Sequence, residues 1–202
     1  MACDRSLGGK RLNHISSYLL IYYQSTHERK NAEGVKPVGE FFQDGDGMNA
    51  TCLITRKLAK VSAGVNADLK YGDPDHFREA SLLREKLREA IPSYNNLSTE
   101  DLLIYEGRQF LYNCHTAQHT DRQDPPKSYA VLAGFGSFRG GHFRFPTLGL
   151  RARMGPGDAI ALRGRVVPHE VEEWEGGQRI SVPHFTHSSM WRCMSMDSVF
   201  TH

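Results

Sequence analysis

The sequence predicts an α+β domain, with helices in most of its first half and a β-barrel or sandwich in its second half. Apolar residues recur at helical spacing before Ala90, whereas from Ser128 onward short apolar or alternating runs are separated by Gly and Pro. At 202 residues the chain fits one domain, 1–202. We expect a mostly helical part over 1–112 and a β core over 113–190.

Two helices are predicted in the first half. One spans Leu12 to Tyr23, where Leu, Ile and Tyr recur at helical spacing. The other spans Pro74 to Ala90, with Asp73 as its cap and a proline in its first turn, and Pro92 ends it. The segment Glu28 to Gly47 is rich in Gly and charged residues and is predicted to be a loop.

The second half contains six segments with the composition of β-strands. These are Tyr129 to Phe135, His142 to Phe145, Leu150 to Met154, Ala159 to Leu162, Val166 to Trp174 and Arg179 to His187. Turns are predicted at Gly155 to Asp158 and at Glu175 to Gln178, because both segments combine Gly with polar residues. Short strands at this spacing are typical of antiparallel sheets.

The composition indicates a folded protein inside the cell. Apolar residues make up 39% and charged residues 24%, as in ordinary globular domains. No apolar run approaches the ~18 residues of a membrane span, and Met1 to Lys10 lacks the hydrophobic segment of a secretion signal. The four cysteines form no CxxC pair, so we expect reduced thiols rather than a zinc site or a disulfide scaffold.

The basic residues are clustered although the total charge is nearly balanced, at 25 Lys and Arg against 23 Asp and Glu. Between Arg139 and Arg165 stand six arginines and the single acid Asp158. Such a cluster can attract phosphates. It is equally consistent with the solvated outer face of a sheet.

A metal site is indicated by His119 and Asp121. Activation of dioxygen at iron(II) requires three protein ligands on one face of the ion, and two His with one carboxylate are typical of such sites. Alternate residues of an extended segment point to the same side, so this pair can reach one ion. An HxD pattern is weak on its own and becomes informative with a third ligand.

The third ligand should be a downstream His on a neighbouring strand. The candidates are His142, His169, His184 and His187. We favour His169, because it precedes Arg179 by ten residues across the predicted Gly-Gly hairpin. The planar guanidinium of an arginine can bind a carboxylate through two hydrogen bonds, and Ser181 has the same strand parity.

Several blocks, in order along the chain, resemble the TET/JBP dioxygenases, in particular the small fungal members. The blocks are His119 to Asp124, Phe138 to Gly141, Pro146 to Gly149, Pro156 to Asp158, Arg163 to Arg165, His169 to Val171 and Trp174 to Arg179. The resemblance covers Asn113 to His187. It implies a double-stranded β-helix core, of the jelly-roll or cupin-like kind, flanked by N-terminal helices.

The resemblance also implies the cofactors and the reaction. Iron(II) would be held by His119, Asp121 and His169, 2-oxoglutarate by Arg179 with Ser181, and O2 would be the oxidant. The substrate would be methylated DNA, in which the methyl group of 5-methylcytosine, or of thymine, is oxidised after the base has been flipped out of the duplex. We expect a monomer, located in the nucleus if DNA is the substrate, and no membrane partner.

The family further implies a base pocket formed by Asp124, Phe185 and His187. The acid would accept from the exocyclic amine of cytosine, the aromatic ring would stack on the base, and the His would bond its edge. Each residue also has an ordinary structural reading: a turn cap, a core aromatic and a polar residue at a strand end. An Asn from the N-terminal half is also implied, and the sequence does not choose among Asn31, Asn49 and Asn66.

Other functions stay open from the sequence. The same chemistry could act on N6-methyladenine, a free small molecule or a protein side chain, because fold and metal site do not determine the substrate. A non-catalytic DNA-binding relic is a further alternative. The chain lacks the Cys-rich extension of the animal enzymes, so DNA binding would depend on the Arg-rich strands and the loop near Asp44. His115, His142 and His184 are interpreted as structural.

Overall fold

The computed structural model describes residues 16–25, 35–38 and 45–200. Four helices precede most of the strands: α1 (Gly45–Lys57), α2 (Ala59–Gly72), α3 (Pro74–Ala90) and α4 (Pro92–Glu100). The strands are β1 (Ser16–Ser25), β2 (Val35–Val38), β3 (Gly107–Tyr112), β4 (Ala130–Gly140), β5 (Phe143–Phe145), β6 (Leu150–Ala152), β7 (Ala159–Leu162), β8 (Glu170–Val171) and β9 (Trp174–Phe185). A short helix, α5 (Ser188–Cys193), follows them. The fold is therefore α+β, as predicted.

The strands form two antiparallel sheets. The larger has six strands in the order β2-β1-β3-β9-β4-β7, and the smaller has three in the order β6-β5-β8. In the larger sheet, β9 lies between β3 and β4, with Ser181 paired to Leu111 on one side and to Gly134 on the other. The chain thus places the strand that carries Arg179 at the centre of this sheet.

The two faces of β4 pack against different cores. Ala130 and Leu132 join Phe143 and Phe145 of the smaller sheet in one apolar cluster. Val131 faces the other way and joins the cluster formed by the helices. This alternation follows from the two-residue period of a strand, because successive side chains point to opposite faces. The space between the two sheets is therefore separate from the helical layer.

Helix α3 confirms the prediction made for its bounds. The Asp73 side chain accepts a hydrogen bond from the His76 backbone N–H at 2.9 Å, and Pro74 occupies the first turn. Leu83 and Leu87 are buried in the helical core. Complete burial of a leucine side chain contributes about 1.5–3 kcal/mol, which explains why this amphipathic segment docks on the sheet. The helix ends before Pro92, as predicted, and α4 starts there.

The helix predicted over Leu12 to Tyr23 is wrong for the residues that the structure describes. Residues Ser16–Ser25 form β1, which pairs antiparallel with β3 from Ser16 opposite Tyr112 to Ile21 opposite Gly107. A continuous apolar and aromatic run satisfies both the helical and the strand period, so its spacing alone does not decide between them. The predicted loop Glu28 to Gly47 contains β2, and α1 begins at Gly45.

Five of the six strands predicted in the second half are present, but the strand Val166 to Trp174 is largely wrong, because only Glu170–Val171 of it forms a strand and Trp174 begins β9. Ala159–Leu162 agrees exactly with its prediction, whereas Glu175 to Gln178 is not a turn. These residues belong to β9, where Glu175 pairs with Arg139 and Gly176 with Phe138. A Cβ on Gly177 would lie 2.3 Å from the Ser137 Oγ, so glycine serves a close approach of two strands beside a bulge.

The strand that follows His169 and the strand that carries Arg179 belong to different sheets. Strand β8 is only Glu170–Val171 and pairs with β5 in the smaller sheet, whereas β9 lies in the larger one. The two residues are therefore contributed by opposite sheets rather than by one hairpin.

Two further expectations concern the whole chain. Cys52 and Cys193 are free thiols, as expected, but Cys114 is disulfide-bonded, so the expectation of four reduced thiols is wrong for this residue. Within the described ranges, no helix combines the length and the apolar character that crossing a bilayer requires.

Candidate metal centre

His119, Asp121 and His169 converge on one point. A ligand atom from each lies within 4.8 Å of the others. The His119 Nε2 is 3.5 Å from the Asp121 Oδ1, and the His169 Nε2 is 3.8 Å from the Asp121 Oδ2. In the part of the chain that the structure describes, these are the residues found to form such a group of three potential metal ligands.

Backbone hydrogen bonds bring the three ligands together. His119 and His169 form an isolated antiparallel bridge, in which each backbone N–H donates to the other residue's carbonyl oxygen at 3.0 Å. The Asp121 N–H donates to the Gly164 carbonyl oxygen at 2.9 Å. Segments more than forty residues apart in sequence are thus held side by side, which a reading of local patterns does not reveal.

Both histidines present the same ring nitrogen to the centre. The Nδ1 of His119 lies 2.9 Å from the Ala117 carbonyl oxygen, and the Nδ1 of His169 lies 2.9 Å from the Val167 carbonyl oxygen. A carbonyl can only accept, so Nδ1 carries the proton and Nε2 keeps its lone pair. The buried His119 Nε2 has no hydrogen-bond partner among the described residues. A ring nitrogen with a lone pair and no hydrogen-bond partner can bind a metal ion.

A glycine makes room for the carboxylate. A Cβ at Gly164 would lie 2.0 Å from the Asp121 Oδ2 and 2.9 Å from its Cγ. Both distances are shorter than the contacts that a Cβ atom makes in proteins, so a side chain here would displace the ligand. Sequence reasoning missed this role, although the glycine lies in the Arg163 to Arg165 block that carried the family resemblance.

The electrostatics of the three ligands suit a cation. Burial alone would raise the pKa of Asp121, but the contact with His119 and the electrostatic influence of the two histidines lower it, so the group is a carboxylate. Burial lowers the pKa of His169, which favours the neutral ring that binds metals. The donor set of two imidazoles and one carboxylate is the one expected of a non-haem iron(II) site with open positions.

Arg179 is a buried cation facing the space between the sheets. It is 2% exposed, and it forms no ion pair with any residue that the structure describes. Burial lowers the pKa of this guanidinium to about 10, so it remains charged at neutral pH. Its guanidinium carbon lies 5.5 Å from the Phe138 ring centre and 5.4 Å from that of Trp174. A charge in such surroundings requires an anionic partner to offset its desolvation.

Two neighbours hold Arg179 in position. The Asn113 side-chain oxygen accepts from the Arg179 backbone N–H at 2.9 Å, and the Asn113 N–H donates to the Arg179 carbonyl oxygen at 2.8 Å. A Cβ on Gly141 would lie 2.9 Å from the Arg179 Nε. Asn113 has a φ of 52°, a left-handed conformation that Asn tolerates better than most residues. Neither role was visible in the sequence.

The residues predicted to hold 2-oxoglutarate and the base lie around the same space. Ser181 is buried on β9, two residues from Arg179 and on the same face. Phe185 packs against the core between the sheets and stacks on His187, with ring centres 4.7 Å apart and an angle of 15°. Burial lowers the pKa of His187 to about 4, so its ring is neutral near pH 7.

Asp124 lies three residues after the candidate ligand Asp121, in the same loop. Its backbone N–H donates to the Asp121 carbonyl oxygen at 3.0 Å, and the side chain is buried. Burial, reinforced by the charge of Asp121, raises the pKa of Asp124 to about 8. The backbone N–H of Ser188 donates to the Gln123 carbonyl oxygen at 2.7 Å, which holds this loop beside the end of β9.

The remaining histidines have other environments. The His142 Nδ1 accepts from the Met154 N–H at 3.3 Å, and the His184 Nδ1 contacts the Val131 carbonyl oxygen at 2.9 Å. His115 lies 3.7 Å from Glu173. None of them joins the group of three ligands.

Neither of the two candidate asparagines that the structure describes is brought to the site. The Asn66 side chain donates to the Leu102 carbonyl oxygen and accepts from the Ile104 N–H, which makes it a structural link between α2 and the segment that follows α4. Asn49 is exposed on α1, and Asn31 lies outside the described residues. The structure therefore assigns no described asparagine of the N-terminal half to the base.

The chain resembles known proteins in shape rather than in sequence. No protein-family model matches it, and no curated protein matches it by sequence. Among solved structures, NgTET1 in complex with 5mC DNA aligns with a TM-score of 0.63 and 14% identity, over 88% of this chain and 63% of that one. An oxidoreductase of the 2OG-Fe(II) oxygenase family from Burkholderia pseudomallei aligns at 21% identity with a TM-score of 0.35, over 40% of this chain and 43% of that one.

The likeness to NgTET1 identifies the class of fold. The chain has the α+β fold of a TET protein, which confirms at the level of fold the resemblance found in the sequence blocks. It spans 63% of the length of the NgTET1 chain. Within this fold, His119, Asp121 and His169 form a two-His, one-carboxylate group that could hold a metal ion.

Proposed function

We propose that this protein is an iron(II)- and 2-oxoglutarate-dependent dioxygenase that oxidises the methyl group of 5-methylcytosine, or of thymine, in DNA. The observation that carries the proposal is a two-His, one-carboxylate group in a chain that also buries Arg179, which forms no ion pair with any described residue. The first suits iron(II), and the second suits the carboxylate of a chelating 2-oxo acid.

The residues present fit both groups. His119, Asp121 and His169 would hold the iron. Backbone carbonyls hold the Nδ1 protons of the two histidines. Arg179 would bind the distal carboxylate of 2-oxoglutarate, and the Ser181 hydroxyl would add a hydrogen bond. When bound, iron and 2-oxoglutarate supply the oxidation of a C–H bond to an alcohol by O2, with release of succinate and carbon dioxide.

The protein itself positions the reactants and excludes water. Phe143 lies 6.1 Å from the His169 ring, and Phe138 and Trp174 flank the guanidinium of Arg179. Apolar walls of this kind keep solvent from the reacting centre and strengthen the electrostatic contact between Arg179 and a carboxylate.

The substrate base would be recognised by three side chains. Asp124 would bond the amino edge of cytosine, Phe185 would stack on the ring, and His187 would bond another edge. All three lie in or beside the loop and strand end joined by the Ser188 to Gln123 hydrogen bond. A flipped base could enter there with its methyl group toward the metal ligands. The likeness in fold to a TET protein solved with 5mC DNA supports this choice of substrate.

We propose that the two sheets form a double-stranded β-helix that encloses the site between them, which the six-stranded and three-stranded antiparallel sheets support. We propose that residues 1–202 act as one dioxygenase domain, with its catalytic core over 113–190. We further propose a monomer that works in the nucleus on methylated DNA. The same site could also serve N6-methyladenine, a small molecule or a protein side chain, since the metal and Arg179 do not select the substrate.

The proposal is tested by mass spectrometry of nucleosides digested from 5-methylcytosine DNA after incubation with the protein, iron(II), 2-oxoglutarate and O2. The expected result is oxidised 5-methylcytosine with the wild-type protein and none with Asp121→Ala. Succinate formation without oxidised bases would keep the dioxygenase and reject the DNA substrate. Absence of both would favour the non-catalytic alternative.

A further inference from the structure

Most arginines of the Arg-rich segment, Arg139 to Arg165, form ion pairs, so the segment attracts phosphates less than its sequence alone indicates. The fold places an acidic residue beside five of its six arginines; Asp158 belongs to the segment itself, and the other acids come from elsewhere in the chain. The pairs are Arg139 with Glu175 (3.8 Å), Arg144 with Glu170 (3.5 Å) and Glu172 (3.8 Å), Arg151 with Glu172 (2.8 Å), Arg153 with Asp158 (3.8 Å) and Arg163 with Asp73 (3.4 Å). Exposed pairs of this kind contribute little to stability, but each cancels a charge that a phosphate would otherwise meet.

Arg165, the sixth arginine, and Arg122 differ from these five. Both are exposed, and neither forms an ion pair within the described part of the chain. The Arg165 Nη1 donates to the Arg122 backbone carbonyl oxygen, which joins the two loops that carry them. This contact places the Arg165 guanidinium beside the backbone of Arg122, whose own side chain is exposed.

The position of this pair relates it to the metal centre. Arg122 follows the ligand Asp121 directly, and Arg165 follows Gly164, whose carbonyl oxygen accepts from the Asp121 N–H. The positive charge of Arg165 also acts on Asp124, the predicted base contact. The two arginines therefore lie at the edge of the same pocket that would receive the base.

We infer that Arg122 and Arg165 bind the phosphates that flank a flipped nucleotide and so seat the DNA backbone over the pocket. This inference rests on the proposed function and names the part of the surface that the DNA strand would contact. Phosphate contacts set the position and orientation of a nucleic acid, whereas base contacts read its identity. The paired arginines between Arg139 and Arg153 would contribute little to this contact.

The test measures binding of a fluorescent duplex containing one 5-methylcytosine by anisotropy, at several salt concentrations between about 50 and 200 mM. The variant is Arg122→Gln with Arg165→Gln, and the matched control is Arg139→Gln with Arg153→Gln, which removes two exposed but paired arginines. A third variant, Arg122→Lys with Arg165→Lys, keeps the charge and loses the planar fork. Thermal unfolding of each variant checks that it is folded.

Loss of two phosphate contacts should reduce the slope of log K against log salt by about 1.8, since each contact contributes about 0.9. The control pair should keep the wild-type slope, and the Lys variant should recover most of it. Equal slopes for wild type and the Gln variant would overturn the inference, and so would a larger loss in the control.

The outcome is distinguishable from failure of the proposed function. If wild type oxidises 5-methylcytosine and binds the duplex while the Gln variant binds equally well, only the role of this arginine pair is rejected. If wild type neither binds the duplex nor oxidises it, both the inference and the DNA substrate are rejected together.

Discussion

The Cα of Gly164 lies against the carboxylate of Asp121 so closely that a single added methyl group would come within 2.0 Å of Oδ2. The requirement is steric, because the φ of Gly164 is not in the left-handed region. We predict that Gly164→Ala moves the Asp121 carboxylate and abolishes binding of iron(II) and turnover, while the fold persists. Calorimetric titration of the metal, with circular dichroism for the fold, would check this.

Gly64→Ala is the matched control for that substitution. Gly64 lies in α2, and a Cβ there would have no heavy atom within 4 Å. The alanine should bind metal like wild type and gain roughly 0.4–1 kcal/mol of stability from a smaller unfolded-state entropy. Normal metal affinity in Gly164→Ala would show that the Asp121 position is adjustable.

The second prediction concerns the buried cation on β9. Arg179→Lys should raise the 2-oxoglutarate concentration for half-maximal turnover by about 10- to 100-fold, because a lysine cannot reproduce a two-point contact worth roughly 1.5–3 kcal/mol. Steady-state kinetics of succinate formation would measure the change. Arg139→Lys, an exposed substitution on β4, is the control. An effect on substrate preference alone would mean that Arg179 does not bind the co-substrate.

The third prediction tests the stacked pair Phe185 and His187. Phe185→Leu keeps an apolar side chain but removes the ring, and stacking of a base on an aromatic contributes about 1–3 kcal/mol. We expect kcat/KM for 5-methylcytosine DNA to fall by about tenfold to hundredfold. Phe110→Leu makes the same change in the helical core and should leave kcat/KM near the wild-type value. Similar kcat/KM values for the two variants would show that Phe185 is an ordinary core residue.

The fourth prediction concerns a buried acid outside the site. Burial raises the pKa of Glu106 from 4.5 to about 7, although Tyr94 donates a hydrogen bond to its Oε1 at 2.8 Å. The folded state therefore holds this proton more tightly than the unfolded state does. Its stabilising contribution is complete below pH 4.5 and is lost as the pH rises to about 7, by roughly 3 kcal/mol in total.

Glu106→Gln removes that titration and keeps an acceptor for Tyr94. The variant should gain stability relative to wild type at pH 8 and show a flatter dependence of unfolding free energy on pH between 5 and 8. Urea denaturation at several pH values would measure it, with the exposed substitution Glu89→Gln as control. Parallel pH curves for wild type and Glu106→Gln would mean that the acid is not buried in solution.

Local patterns predicted the elements whose signals are themselves local. The bounds of α3 follow from a cap, a proline and one amphipathic face, so Asp73 and Pro74 were sufficient. Strand β1 was misassigned because an unbroken apolar run fits two periods, and only its pairing with β3 decides between them. The glycines of Glu175 to Gln178 indicate either a turn or a close strand approach, and the partner Ser137 is distant in sequence.

The same distinction between local signals and contacts of distant residues applies to the candidate site. The sequence by itself determined the chemistry available: two imidazoles and a carboxylate for a metal, a guanidinium for a carboxylate, and an acid, an aromatic ring and an imidazole for a base. The sequence favoured His169 as the third ligand, and the tertiary structure places it with His119 and Asp121. Only the tertiary structure decided that Gly164 and Asn113 hold the surroundings of the site and which arginines form no ion pair among the described residues. These facts depend on contacts between residues far apart along the chain, and composition and spacing carry no information about such distances.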